Sequence, residues 1–158
     1  MPSVPGVTMR RWLYPDLVGP QVSAGLLVLR LVVGAALVLH GWPKIQNPMG
    51  WMPADAPVPG FFQACSAVAE FGGGIALILG LVTRVAALAL VVNMAVAATF
   101  HIRRGDPFVN LTGGPSFELA AAYFACAVLF LLAGPGRFSL DALAFGGLDL
   151  DAAPRPAP

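Results

Sequence analysis

The sequence predicts an all-α integral membrane protein, a four-helix antiparallel bundle, and three observations carry that prediction. Hydrophobic residues make up 58% of the 158 residues and charged residues only 11%, whereas a soluble domain covers its surface with about a quarter charged residues. The apolar residues gather into four long runs, and a helix needs about 20 apolar residues to cross a bilayer core of roughly 30 Å. The runs are continuous rather than alternating, which excludes a membrane β-barrel.

Residues 1–21 form a polar lead, with Trp12 and Tyr14 where interfacial aromatics sit. The first span covers about 23–42. Arg10 and Arg11 precede it as they would a signal peptide, but the run is too long, contains Arg30 and has no small-residue cleavage site after it, so it reads as uncleaved. The connection "PKIQNPMGWMPADAPVPG" has prolines at 43, 48, 53, 57 and 59, a density that forbids a continuous helix. Trp42, Trp51, Phe61 and Phe62 put this connection at the membrane surface. The second span covers about 62–82, and a tight turn at "LVTR" leads into the third, about 84–102. After the polar "RRGDPFVNLTGGP", Ser116 is placed to N-cap the fourth span, about 117–133. "GPGRFSLDALAF" ends that span with a short surface helix. The transmembrane unit is thus 22–145, and the tail 146–158 is expected to be disordered. Short connections make the topology up-down-up-down.

Nine Lys and Arg against eight Asp and Glu leave a net charge of +1, so there is no electrostatic footprint for nucleic acid. Arg10, Arg11, Arg84, Arg137 and Arg155 fall on one side of the membrane and Lys44, Arg103 and Arg104 on the other. The larger set predicts both termini in the cytoplasm. Cys65 and Cys126 form no C-x-x-C pair and lie in apolar runs, which makes them small hydrophobes rather than a redox couple.

A charge at the centre of a span costs about 2.5–3.5 kcal/mol on insertion scales, so each intramembrane polar residue needs an explanation. They are Arg30, His40, Glu70, Asn93, His101 and Glu118. At helical spacing, Arg30, Glu70, Asn93 and Glu118 each share a face with Gly, Ala or Ser. Small residues mark close helix contact in membranes, which turns these side chains into the bundle. At 1.5 Å per residue Glu70 lies about 12 Å and Arg30 about 18 Å below the outer interface, so the two are expected to pair. His40, Lys44, His101 and Glu118 fall near that interface, and together these residues outline a polar pocket opening outward. The Glu-x-x-His spacing of di-metal bundles is absent, and no metal is expected.

The stretches "LRLVVGAALVLHGWPKI", "AEFGGGIALILGLVTRVAAL" and "GPGRFSLD" resemble the DoxX family of small bacterial membrane proteins, over roughly Leu26 to Leu143. Their shared motifs are HG-x-x-K after the first span, A-E-x-G-G-G in the second and L-G-L-x-T-R at the turn. A His closes the third span and a Glu opens the fourth. The resemblance implies a four-span protein of the bacterial inner membrane. It also implies an association with quinone-linked oxidoreductases, and some members act as membrane partners of soluble redox proteins. On that footing the expected function is an accessory membrane subunit of a quinone-linked redox system. Glu70, His40 and His101 would handle protons, and Arg30, Lys44, Asn93 and Glu118 would line the pocket. The expected cofactor is a quinone, since no haem, flavin or Fe–S motif is present and electrons would come from a protein partner. A non-catalytic scaffold is the alternative, and a small solute transporter, which would need a homodimer to supply further spans, ranks below both.

Overall fold

A computed structural model describes residues 18–145. Helices follow the four apolar runs: α1 Pro20–Gln46, α2 Gly60–Leu79, α3 Thr83–Arg103 and α4 Glu118–Ala133, with a short α5 at Leu140–Phe145. There is no strand among the described residues. The tail, most of the lead, and with them Arg10, Arg11, Trp12, Tyr14 and Arg155, lie outside the described residues.

Pro20 occupies the first turn of α1, where a missing N–H costs nothing and the fixed φ suits a helix. The expectation that the proline-rich connection begins at Pro43 is corrected, because α1 continues through Pro43 to Gln46. Pro43 removes one bond, to the Leu39 carbonyl, while the turn after it is anchored by Lys44, whose ammonium donates to Glu70 on α2. Asn47 is the C-cap, just before Pro48, a proline that disfavours helical backbone at the residue ahead of it.

The helices run antiparallel in sequence order, and α1 packs most intimately on α2. Glycine makes that possible. A Cβ on Gly34 would lie 2.8 Å from the Gly74 carbonyl oxygen, and one on Gly41 would lie 2.5 Å from the Phe71 nitrogen. The two backbones are therefore in direct contact, as expected of small residues at a membrane helix interface. Leu26, Val33, Leu37, Leu77, Leu90, Met94 and Phe130 fill the interior. Val28, Val32, Leu39, Val92, Val96 and Leu132 face outward, the apolar exterior a bilayer requires. Among the described residues, α1, α2 and α3 alone are long and apolar enough to cross a membrane outright. With 16 residues, α4 extends about 24 Å. It begins after Phe117, and no side chain caps it, so Ser116 does not act as the expected N-cap.

The end of the bundle bearing the 80–82 turn is locked by polar contacts. Arg30, only 1% exposed, donates from Nη1 to the Pro135 carbonyl at 2.6 Å and from Nη2 to the Phe138 carbonyl at 2.8 Å. Asp141 accepts from the backbone N–H groups of Val82 and Thr83 at 2.8 and 2.9 Å. It thereby caps the N-terminus of α3 from a distant segment, where a carboxylate also meets the positive end of the helix dipole. Gly80 closes α2 at φ +64°, and a Cβ there would sit 2.6 Å from Arg30 Nη1. Arg84 donates to the Leu132 carbonyl at 2.7 Å. The L-G-L-x-T-R and GPGRFSLD stretches are two halves of one structural lock.

The expected pairing of Arg30 with Glu70 is therefore corrected. Arg30 reaches the Ile78 carbonyl at 3.5 Å, eight residues and about 12 Å along α2 from Glu70. Side chains tilt toward the N-terminus of their own helix. On antiparallel helices, Arg30 leans toward the turn and Glu70 toward the opposite end, so the two diverge.

Candidate functional site

The opposite end carries the two long connections, 47–59 and 104–117, and holds the remaining polar residues. Glu70 sits on α2 one turn before Gly74 and is 5% exposed. Its Oε1 accepts from Lys44 Nζ at 2.6 Å and from Asn93 Nδ2 at 3.1 Å. Its Oε2 is buried and has no hydrogen-bond partner in the protein. Lys44 lies three residues beyond Gly41, so the close approach of α1 to Phe71 sets its ammonium against the carboxylate. Leaning back along α1, it points into the bundle rather than out of it.

The first connection folds over this pair. Lys44 Nζ lies 4.5 Å from the centre of the Trp51 ring, a cation–π contact. Trp51 Nε1 donates to the Gln63 carbonyl at 3.0 Å. Gln63 in turn accepts from the Met52 N–H and donates to the Val58 carbonyl, which straps the connection to the start of α2. On α3, His101 Nδ1 lies 2.7 Å from Asp106 Oδ2, a carboxylate just past the helix end. Across the bundle the His40 ring meets Tyr123 edge-on, 6.0 Å between centres.

These side chains surround a partly open cavity of about 170 Å³ to which all four long helices contribute. Leu37, His40 and Lys44 come from α1, Glu70 from α2, Met94 and His101 from α3, and Leu119, Ala120 and Tyr123 from α4, with Ser116 at the rim. A cavity of about 150 Å³ accommodates a benzene ring, so the space matches one six-membered ring with polar substituents. α1 and α4 touch only sparingly.

The family model described as DoxX matches residues 25–102, the whole stretch that supplies Lys44, Glu70, Asn93 and His101. The inner membrane protein YqjF of Escherichia coli is 30% identical over 125 residues, covering 77% of this chain and 92% of that protein. The chain belongs to the DoxX family. An uncharacterized protein of Haemophilus influenzae is 36% identical over 119 residues, 73% of this chain and 87% of its own length. An uncharacterized membrane protein of Mycobacterium tuberculosis is 31% identical over 140 residues, 81% and 86% of the two chains. No solved structure matches. This DoxX chain is an integral membrane protein.

Of the residues expected at the site, the structure brings together His40, Lys44, Glu70, Asn93 and His101. Two lie elsewhere. Arg30 belongs to the lock at the turn, and Glu118, at the first position of α4, is exposed. The small residues sharing its face include Ala122 and Ala125, which are exposed as well, so that stripe faces outward. Among the described residues no group of three His, Cys, Asp or Glu is placed to hold a metal ion. Sequence reasoning missed Asp106, Trp51, Gln63 and Tyr123. Only Asp106 left a signal, as an acidic residue in the loop after a helix whose last turn carries a His.

Proposed function

We propose that this DoxX protein is an accessory membrane subunit of a quinone-linked redox system and that the cavity between the four helices receives the quinone ring. The observation that carries this reading is the juxtaposition of a ring-sized cavity with a buried carboxylate whose second oxygen has no protein partner. A buried acceptor without a partner is costly to maintain, and intramembrane ionisable residues mark substrate and proton pathways.

A quinone, when bound, supplies two-electron, two-proton chemistry. The residues present fit such a ring. Leu37, Met94 and Leu119 offer apolar walls, and Tyr123 a ring edge. Lys44, His101 and Tyr123 offer polar atoms at the periphery. Glu70 and His101 are the groups placed to hold or pass a proton at that periphery. Lys44 and Asn93 hold one oxygen of the carboxylate, and Asp106 holds the imidazole. Electrons reach the site from a protein partner. By the count of basic residues in the connections, this end faces outward from the cytoplasm.

Photolabelling with an azidoquinone in lipid nanodiscs tests the reading. Label competed away by excess unlabelled quinone is expected on peptides from residues 37–44 and 116–123, and Ala120→Trp, which fills the cavity, should abolish it. Label spread over lipid-facing residues and indifferent to Ala120→Trp would reject the assignment.

A further inference from the structure

We infer that the cavity selects a ring that donates hydrogen bonds, a quinol or another phenol, over the oxidised ring that can only accept them. This rests on the reading of the cavity as a ring site and specifies the form of the ring that it takes.

A carboxylate offers about four lone-pair positions, and the protein uses two of those on Glu70, both on Oε1. The rest of its acceptor capacity is buried without a partner, in a side chain that lines the cavity. The last torsion of a glutamate is broad, so a small rotation turns either oxygen toward a ligand. His101 supplies a second acceptor. In the neutral tautomer whose Nδ1–H donates to Asp106 Oδ2, 2.7 Å away, Nε2 keeps a lone pair.

The donors do not offset this balance. The Lys44 ammonium gives one of its three N–H groups to Glu70 and lies against the Trp51 face. With its charge already balanced by that carboxylate and its side chain 22% exposed, it favours a carbonyl less than the open lone pairs of Glu70 favour a hydroxyl. The hydroxyls of Ser116 and Tyr123 and the ring nitrogens of His40 can each donate or accept and do not discriminate. A carbonyl oxygen placed at Glu70 would oppose one acceptor with another. A hydroxyl placed there forms a charge-assisted bond, and bonds of that kind correspond to roughly ten- to hundredfold in affinity.

Equilibrium binding in nanodiscs, under anaerobic conditions, tests the inference with three probes: a short-chain quinol, the matching quinone, and the quinol dimethyl ether, which keeps the ring but donates nothing. The quinol is expected to bind at least about tenfold more tightly than either of the others. In Glu70→Gln that preference should shrink severalfold, because the amide lacks the charge that strengthens the bond from a hydroxyl and gains N–H groups that a carbonyl can accept from. Quinone or dimethyl ether binding as tightly as quinol, and displaced by Ala120→Trp, would overturn the inference while leaving the ring site standing. Binding of all three that is unaffected by Ala120→Trp would overturn the ring site itself. A quinol preference that survives unchanged in Glu70→Gln would remove Glu70 as its origin.

Discussion

Lys44 on α1 and Glu70 on α2 are joined by a 2.6 Å ion pair inside a membrane bundle, and Asn93 on α3 completes it. Three helices are thus tied at one carboxylate, which still has a free oxygen. Removing one member of such a pair leaves a buried charge uncompensated, whereas removing both does not. Lys44→Met is expected to destabilise the protein by about 2 kcal/mol, less than for a fully buried pair because Lys44 is partly solvated. Lys44→Met combined with Glu70→Leu should cost less than the sum of the two single changes. Thermal melting of the four proteins in one detergent gives the coupling. Strict additivity would mean that the pair carries no interaction energy.

Gly41 and Gly25 lie on the same helix and should respond in opposite ways to alanine. A Cβ at Gly41 meets the α2 backbone at Phe71, while one at Gly25 meets nothing within 4 Å. Gly41→Ala should cost about 1–3 kcal/mol through overpacking and should also loosen the Lys44–Glu70 pair. Gly25→Ala should be neutral or stabilise by up to about 1 kcal/mol, because alanine is the better helix former. Equal melting temperatures for the two variants would contradict the backbone contact.

At the other end, Asp141 serves two N–H groups at the start of α3, so Asp141→Ala should cost about 2–3 kcal/mol. Arg30→Lys replaces a two-pronged donor with a single ammonium and should cost about 1–2 kcal/mol. Both variants should retain ring binding when assayed below their melting temperatures. Loss of ring binding in a folded Arg30→Lys protein would move Arg30 back to the site.

The neutral His101 ring should carry its proton on Nδ1, facing Asp106. Nitrogen NMR shifts of the labelled ring distinguish the two tautomers. Asp106→Ala is expected to move the proton to Nε2 and to weaken quinol binding severalfold. A ring already protonated at Nε2 in the unmodified protein would contradict the arrangement.

Much of this architecture was legible in the sequence. Run length and continuity predicted the four helices, and the Gly and Ala neighbours of Glu70 and Asn93 correctly turned both side chains inward. The same rule failed for Glu118, because alanine can face lipid as readily as it can face another helix. Arg30 was misplaced by arithmetic that counted height along the helix and ignored side-chain tilt. Its true partners are main-chain carbonyls, and no residue type announces those. Asp141 as a cap for α3 was equally invisible, since the helix it caps begins 58 residues earlier. The extension of α1 past Pro43 depends on a partner across the interface, which local proline rules do not weigh.

The central claim is that the cavity around Glu70 is occupied by a ring in the native membrane. The most direct measurement is the amount of quinone and quinol extracted per mole of protein purified in native lipid, for the unmodified chain and for Ala120→Trp. The account predicts an amount approaching one per chain in the former, its loss in the latter, and similar melting temperatures for both. Equal trace amounts in the two preparations, scaling with the lipid retained, would contradict it.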